Sequence, residues 1–306
     1  MMKIKNYTFE ATIPTCMYGN LKPHLEMEGT DIREMTEFGL DLVKNLNNRF
    51  SDFPLKETTQ SIQENVKIKS FNEDIELDFN PATHEYKCGD KSLLSGSVYA
   101  SSFYKRFDSQ GIAKNCEKTW GVKAKDIVDM WDSNGSVTSS FGTAIHKALE
   151  HYDKHKNTAI EIEGNLDNGE NKALPKHPIL RSIIEGFMEI DQYDGDVETE
   201  VLVTDIVNSR CGLIDRLLIL DKDKKVCRVQ DYKINVDSET ENKNLKALAP
   251  YDTLPMNKLT KYQIQLSFYA NILQQNGWIV EGIDIYVLED VWKHYQLDIL
   301  DTYVEN

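Results

Sequence analysis

Two neighbouring apolar runs, each interrupted by an aspartate, constrain the fold of this chain more than any other feature. Residues 212–220 read GLIDRLLIL and residues 226–234 read VCRVQDYKI, with the polar stretch KDKK between them. Apolar runs of this length joined by a short polar turn are typical of a β-hairpin. A carboxylate inside such a run is costly unless it is paired or binds a metal. The pattern therefore predicts that Asp215 and Asp231 lie near each other in one sheet.

The second run ends in Asp231, Tyr232 and Lys233. Residues two apart on a strand point to the same face, so a carboxylate and an ammonium emerge there side by side. Taken alone, this favours a solvent-facing ion pair that contributes little. With Asp215 beside it, the interpretation changes, because two clustered carboxylates repel each other unless a cation neutralises them. All-oxygen ligands favour Mg²⁺ or Mn²⁺ over zinc.

Composition and charge exclude several classes of protein. The 306 residues include 35 basic and 50 acidic side chains, a net charge of −15, and 40% are apolar. No run approaches the roughly 20 apolar residues of a membrane span, and the first residues lack the apolar core of a secretory signal. The five cysteines are scattered without a CxxC pair, which fits a reducing compartment and argues against a disulfide framework or a four-cysteine zinc site. We expect a cytoplasmic protein that does not coat nucleic acid wholesale.

The chain divides into three parts. The pattern of residues 1–56 predicts a small β-β-α module, with strands near 7–13 and 21–27 and a helix after Thr30 or Asp31. This module carries no catalytic constellation, so docking or packing is its favoured role. Residues 57–70 predict a polar linker, and residues 71–306 form the main domain.

For the main domain, the order of the predicted elements indicates an α/β fold with one mixed central sheet flanked by helices. Strands are expected in a hairpin over 75–95 with its turn at 88–90, and at 198–206, 212–221, 226–234 and 279–288. Helices are expected within 97–132, from Ser139 or Ser140 onward, and at 179–190 and 262–275, with loops at 157–175 and 235–257.

Two further motifs lie on the predicted helices. In GTAIH, at 142–146, His146 shares a helix face with Glu150. A lone histidine there is more often packed or solvated than a ligand, and the nearby histidines lack the HExxH order of a zinc protease. In QLSFY, at 265–269, Gln265 and Tyr269 lie one helical turn apart, which by itself is a weak signal.

Together these elements resemble the RecB-like branch of the PD-(D/E)XK nuclease superfamily. That family carries a GxxxH helix, a GxxD strand, a DxK strand and a QxxxY helix in this order. Here they are GTAIH at 142–146, GLID at 212–215, DYK at 231–233 and QLSFY at 265–269. The joint match spans roughly 75–290 and is more specific than any single piece. One departure is Ile234 and Asn235 after the DxK, where family members often have a small hydroxyl residue.

The resemblance implies a restriction-endonuclease-like fold and a set of site residues. His146, Asp215 and Asp231 would hold one or two Mg²⁺ or Mn²⁺ ions, with the Tyr232 carbonyl as a further ligand. Lys233 would position the attacking water or stabilise charge on the scissile phosphate. Gln265 and Tyr269 would orient their helix against the substrate. No iron–sulfur cluster is expected, because the cysteine cluster of those family members is absent.

A second carboxylate position stays open on the strand at 198–206. Glu200 would support the metal ligands without binding the metal itself. Glu198, which points to the same face of the strand, is the competing choice. Several lysines are candidates for a DNA-facing rim: Lys222, Lys224, Lys225, Lys243, Lys246, Lys258 and Lys261.

The first functional hypothesis is a metal-dependent deoxyribonuclease, in particular an exonuclease of phage recombination or DNA processing that works in the bacterial cytoplasm. Its expected partners are DNA and a single-strand annealing or other recombination or replication protein, with no membrane. The second hypothesis is the same fold without turnover, which binds DNA or such a protein. The third is a structural or regulatory interaction protein whose working part is the 1–56 module. The motifs leave the oligomeric state open.

Overall fold

The computed structural model describes the second half of the chain more fully than the first. The described residues are 4–10, 13–15, 19–21, 24–29, 65–80, 83–105, 107–163, 173–193, 195–234, 236 and 246–303, with backbone alone at 4–29 and 157–163. The chain forms two compact units, Met1–Gln63 and Glu64–Asn306.

The first unit contains two antiparallel strand pairs. Strand β1 (Ile4–Glu10) pairs with β4 (His24–Gly29), and β2 (Ile13–Thr15) pairs with β3 (Gly19–Leu21). Strand β1 covers residues 7–10 of the first predicted strand, and β4 covers residues 24–27 of the second, while residues 11, 12, 22 and 23 lie outside the described residues. The helix predicted after Thr30 lies outside the described residues.

The second unit is built on a nine-stranded mixed sheet. Its strands are β5 (Val66–Lys69), β6 (Glu76–Asn80), β7 (Glu85–Cys88), β8 (Lys91–Ser95), β9 (Asp196–Asp205), β10 (Arg210–Asp221), β11 (Val226–Ile234), β12 (Ile279–Leu288) and β13 (Trp292–Leu297). The order is β13-β12-β11-β10-β8-β7-β6-β5, and β9 also pairs with β10. The β8–β10 and β11–β12 pairs are parallel, and the other pairs are antiparallel.

Within the described residues, five helices accompany this sheet. They are α1 (Gly96–Ser102), α2 (Ser109–Trp120), α3 (Ala124–Glu163), α4 (Pro178–Ile190) and α5 (Lys258–Gln275). In the described part of the chain, no helix is both long enough and apolar enough to span a membrane.

The helices cover both faces of the sheet, as alternate residues of β12 show. Ile283 and Ile285 belong to an apolar cluster with α1 and α5, whereas Tyr286 packs with residues of α3 and α4. Because successive strand residues point to opposite faces, the two clusters lie on opposite sides of the sheet. The expected mixed sheet flanked by helices is therefore present.

Helix α3 departs most from the sequence prediction. The prediction that this helix starts near Ser139 was wrong, because α3 begins at Ala124. The helix also continues through Glu163, into the region predicted as a loop. The hydroxyls of Thr138 and Thr143 donate to backbone carbonyls four residues earlier, at 2.9 and 3.0 Å. These bonds satisfy hydroxyl groups that otherwise favour turns, so the hydroxyl-rich stretch stays helical.

Two strands were missed and one helix was predicted too short. Strand β5 forms from the end of the predicted linker, and β13 forms from a stretch that mixes apolar and polar side chains. Helix α5 begins at Lys258, four residues before the predicted start, because the side chain of Asn257 accepts a bond from the Thr260 amide and caps it. The predicted end at Asn276 and Gly277 is confirmed, since Gly277 has a φ of +78°.

Candidate active site

The β10–β11 hairpin brings Asp215 and Asp231 together, as its sequence predicts. The two strands are antiparallel, and Arg216 pairs with Gln230. Asp215 precedes Arg216 on β10, and Asp231 follows Gln230 on β11. These two aspartates therefore stand opposite each other on the other face of the sheet. A hydrogen bond joins the two carboxyl groups.

His146 and Lys233 complete a row of contacting groups around the two aspartates. The His146 Nδ1 lies 3.1 Å from an oxygen of Asp215, and the Lys233 Nζ lies 2.6 Å from an oxygen of Asp231. The Lys233 ammonium also lies 4.9 Å from the centre of the Tyr262 ring at the start of α5. Three elements, α3, β10 and β11, thus supply the four predicted groups.

The pKa values of the two aspartates in this row shift in opposite directions. Burial and the neighbouring charge of Asp215 raise the pKa of Asp231 above its usual range. Burial also opposes ionisation of Asp215, but hydrogen bonds from Asp231 and His146 hold the pKa of Asp215 well below its usual range. Two carboxyl groups in contact cannot both ionise cheaply, so their mutual repulsion favours one proton held between them.

The two cationic groups respond to the same aspartates. Burial disfavours the charged forms of His146 and Lys233. The hydrogen bond and charge of Asp215 nevertheless raise the pKa of His146, and the charges of Asp231 and Asp215 raise the pKa of Lys233. The aspartates therefore hold positive charge on one side of the site.

Glu200, rather than Glu198, stands beside the aspartates. The β9–β10 register pairs Ile214 with Val201 and Arg216 with Thr199, which sets Glu200 opposite Asp215. Burial and the charges of Asp215 and Glu150 raise the pKa of Glu200 to about 7, although its side chain remains exposed. The competing Glu198 pairs with Leu217, farther along the strand. The strand parity in the sequence left this choice open, and the cross-strand register decides it.

Below the site, a buried network of charges lies on the opposite face of the sheet. Arg216 is fully buried, and its guanidinium donates to Asp153 at 3.0 Å, to Asp191 at 2.6 Å and to Gln230 at 2.5 Å. The Tyr232 hydroxyl donates to Asp153 at 3.0 Å. Sequence reasoning missed Arg216, Asp153, Asp191 and Gln230, and it assigned no role to the Tyr232 hydroxyl. A signal was present, because an arginine inside an apolar strand requires buried anionic partners.

The QxxxY motif meets the GxxD motif through one ring. Tyr269 is buried, and its hydroxyl accepts a hydrogen bond from Gln265 at 3.0 Å. A Cβ atom on Gly212 would overlap the Tyr269 ring, and so would one on Gly96. The two motif residues therefore fix α5 against the strand that carries Asp215, and the glycine is needed for this close approach.

A cavity of about 660 Å³ opens beside these residues. Its lining joins one face of α3 to the end of β11 and the start of α5, and includes His146, Glu150, Glu200, Lys233 and Tyr262. Asp231 is almost fully buried, whereas the Asp215 side chain keeps 24% of its surface exposed. Solvent therefore reaches the site from the α3 side.

The lysines expected to form a DNA-facing rim are dispersed. Lys222, Lys224 and Lys225 form the β10–β11 turn, which lies roughly 20 Å along the strand from Asp231. Lys258 and Lys261 lie in the first turn of α5, next to Tyr262. Lys246 is exposed and bonds to the Thr253 carbonyl, and Lys243 lies outside the described residues.

The donor set fits a hard divalent cation, although the side chains now contact each other in pairs. Among the described residues, no three His, Cys, Asp or Glu side chains are already arranged as metal ligands. Asp215 instead bridges His146 and Asp231, and Lys233 covers one oxygen of Asp231. Carboxylate-rich sites suit Mg²⁺ or Mn²⁺, and a cation at the pair would take the place of the shared proton.

Comparison of the chain with models of known families, with curated proteins and with solved structures finds no match. The four spaced motifs and the geometry of the site therefore carry the functional argument.

Proposed function

We propose that this chain is a metal-dependent deoxyribonuclease with a restriction-endonuclease-like fold. Its reaction is the hydrolysis of phosphodiester bonds, and we infer an exonuclease of phage recombination or DNA processing. One observation carries the proposal: four residues from three separate motifs, His146, Asp215, Asp231 and Lys233, contact one another in a row, and His146 and Lys233 line the cavity. Each of these motifs alone is common, and their convergence is not expected of unrelated surface residues.

The chemistry of the site supports this reaction. Asp215 and Asp231 are the primary candidates to hold a divalent ion, with His146 and the Tyr232 carbonyl as further ligands. Such an ion, when bound, supplies positive charge that activates a water and offsets the charge that develops on the phosphate. Lys233 is the group to position the water or stabilise the phosphate oxygens, because its ammonium is a compact charge held beside the aspartates.

Degradation of end-labelled linear DNA and covalently closed circular DNA, with Mg²⁺ or Mn²⁺ and with an EDTA control, tests the proposal. We expect metal-dependent loss of the linear DNA alone. Asp231→Asn and Lys233→Ala should each reduce the rate about 100-fold or more, since each removes a charge at the reacting centre. Cleavage of the circle would reassign the protein as an endonuclease, and full activity of both variants would contradict the assigned site.

Matched surface changes serve as controls for that assay. Asp290 and Lys87 are exposed and lie outside the cavity lining. Asp290→Asn and Lys87→Ala should therefore cleave at the wild-type rate. Thermal unfolding of all four variants separates loss of chemistry from loss of fold, and Mn²⁺ titration calorimetry should show weaker binding in Asp231→Asn than in Asp290→Asn.

The second candidate function is a nuclease-fold module that binds DNA or a replication or recombination protein without turnover. The Asp231–Lys233 ion pair favours it, because in this arrangement each group already satisfies the other. Wild-type protein that binds DNA but cleaves neither substrate would support this second function and contradict the first.

A further inference from the structure

An aromatic and basic surface lies on α2 and the first turns of α3, outside the site described above. We define the aromatic–basic arm as residues 105–131. Phe107 and Trp120 expose 66% and 57% of their surface, and Trp131 is half-buried. The rings of Phe107 and Trp131 contact each other with centroids 5.9 Å apart. This contact places two aromatic side chains next to each other at the surface, and contiguous exposed apolar groups are what marks an interaction site.

The charge of this arm differs from that of the rest of the chain. Residues 105–131 hold six basic and four acidic side chains, a local charge of +2 in a chain of net charge −15. The basic residues whose side chains are described are all exposed: Lys105, Lys114, Lys118, Lys123 and Lys125. At 100° per residue, Asp126 and Asp129 lie on the side of α3 away from Trp131. The arm therefore suits a polyanion, which the remaining acidic surface repels.

The arm is continuous with the candidate active site along α3. Trp131, Thr138, Gly142 and His146 follow each other at intervals of seven, four and four residues, so they share one helix face. The last three line the cavity. At 1.5 Å per residue, Trp131 lies about 22 Å from His146, a span of about six nucleotides of stacked strand.

We propose that the aromatic–basic arm binds single-stranded DNA and leads its end along α3 into the cavity. Exposed rings can stack on unpaired bases, which a duplex does not offer, while the lysines follow the phosphates. This deepens the proposed nuclease function, because it assigns a single-stranded segment as the substrate, and it rests on that function only for what happens in the cavity.

Fluorescence anisotropy with a labelled 20-nucleotide single strand and a 20-base-pair duplex, both in EDTA, measures this binding without turnover. The wild-type protein should prefer the single strand, with affinity that falls as salt rises. Phe107→Ala with Trp131→Ala should weaken binding about tenfold or more, and so should Trp120→Ala. Lys114→Gln with Lys118→Gln should weaken binding and reduce its salt dependence.

Two controls share the chemistry of the arm but lie elsewhere. Val291→Ala removes an apolar side chain that is 66% exposed, and Lys67→Gln with Lys87→Gln removes two exposed charges from β5 and β7. Both should bind like the wild type. Circular dichroism checks the fold of the Trp131 variant, and Phe107 and Trp120, which are mostly exposed, provide single variants.

Three outcomes would overturn the proposal: unchanged single-strand binding in the arm variants, a preference for duplex, or self-association that depends on the arm and no binding of DNA. Asp290→Asn, at an exposed position outside the cavity lining, should bind the single strand as the wild type does. If the wild type binds through the arm but does not cleave, the nuclease proposal fails and the arm stands. If the wild type cleaves DNA and the arm variants bind and cleave as it does, the arm proposal fails and the nuclease proposal stands.

Discussion

At the scale of single residues, the unexpected feature is how much charge lies inside the sheet. Asp284 is fully buried on β12, and it accepts bonds from the Arg228 guanidinium at 2.8 and 2.9 Å and from the Gln230 amide at 3.1 Å. The His294 ring lies 2.9 Å away, stacked on Tyr286. A buried ion pair of this kind stabilises little against an apolar replacement, but loss of one partner is costly.

The Asp284 carboxyl should make stability depend on pH. Burial opposes its ionisation, but hydrogen bonds from His294 and Arg228 lower the pKa of Asp284 to about 2. In the unfolded chain the pKa is about 3.9, so the unfolded state binds the proton more tightly. The stabilisation, about 2 to 3 kcal/mol, is therefore complete above pH 5 and lost as the pH falls from about 4 to about 2.

Urea unfolding of wild type and Asp284→Asn between pH 6 and pH 3 measures this effect. The wild type should be more stable by at least that amount at pH 6, and the difference should narrow below pH 4. Asp252→Asn, at an exposed position, should show no difference at either pH. A gap that stays constant over this range would show that the charge of Asp284 is not its cause.

At the scale of elements, the contact between β10 and α5 couples two motifs. The Gly212→Ala variant would force the buried Tyr269 ring to move, because the new Cβ overlaps it. We expect a loss of about 1 to 3 kcal/mol in the free energy of unfolding, the usual cost of an overpacked core. Chemical denaturation measures it, and the double variant with Tyr269→Ala should be less destabilised than the sum of the single variants.

Gly135 in α3 gives the opposite expectation and so serves as the control. It lies in the helix with no atom within 4 Å of an added Cβ. Gly135→Ala should therefore stabilise the protein by about 0.5 to 1 kcal/mol through helix propensity. Destabilisation at both glycines would mean that packing against Tyr269 is not what distinguishes Gly212.

The same elements show what could be predicted from the sequence. The β10–β11 hairpin was predicted correctly because its apolar runs and short turn are local signals, and these aligned Asp215 with Asp231. Strands β5 and β13 were missed because they are largely exposed or half-buried and carry mixed side chains. Their pairing partners, not their own pattern, make them strands.

The start of α3 was predicted wrongly, and the choice between Glu200 and Glu198 stayed open, for a related reason. Gly135, Gly142 and the hydroxyl residues between them have low helix propensity, yet the bonds of Thr138 and Thr143 keep the helix continuous. Glu200 and Glu198 share strand parity, and only the register against β10 separates them. Propensity belongs to single residues and parity to one strand, whereas α3 is held by side-chain bonds along the helix and Glu200 is selected by contact with a second strand.

At the scale of the whole molecule, the second unit contains every residue of the candidate site. Glu64–Asn306 includes the nine-stranded sheet, the five described helices, the cavity and the aromatic–basic arm. A unit with its own apolar core and complete sheet should fold without the first unit. We therefore expect a fragment of residues 64–306 to unfold cooperatively.

This fragment also separates the roles of the two units. Because the four site residues and the arm are intact in it, the fragment should retain metal-dependent cleavage and single-strand binding within about threefold of the full chain, a difference below about 0.7 kcal/mol. Circular dichroism melts, the nuclease assay and anisotropy compare the two proteins directly. A fragment that folds but loses cleavage would show that residues 1–63 contribute to the reaction. Equal activity would leave docking of a partner protein as the role to test for that unit.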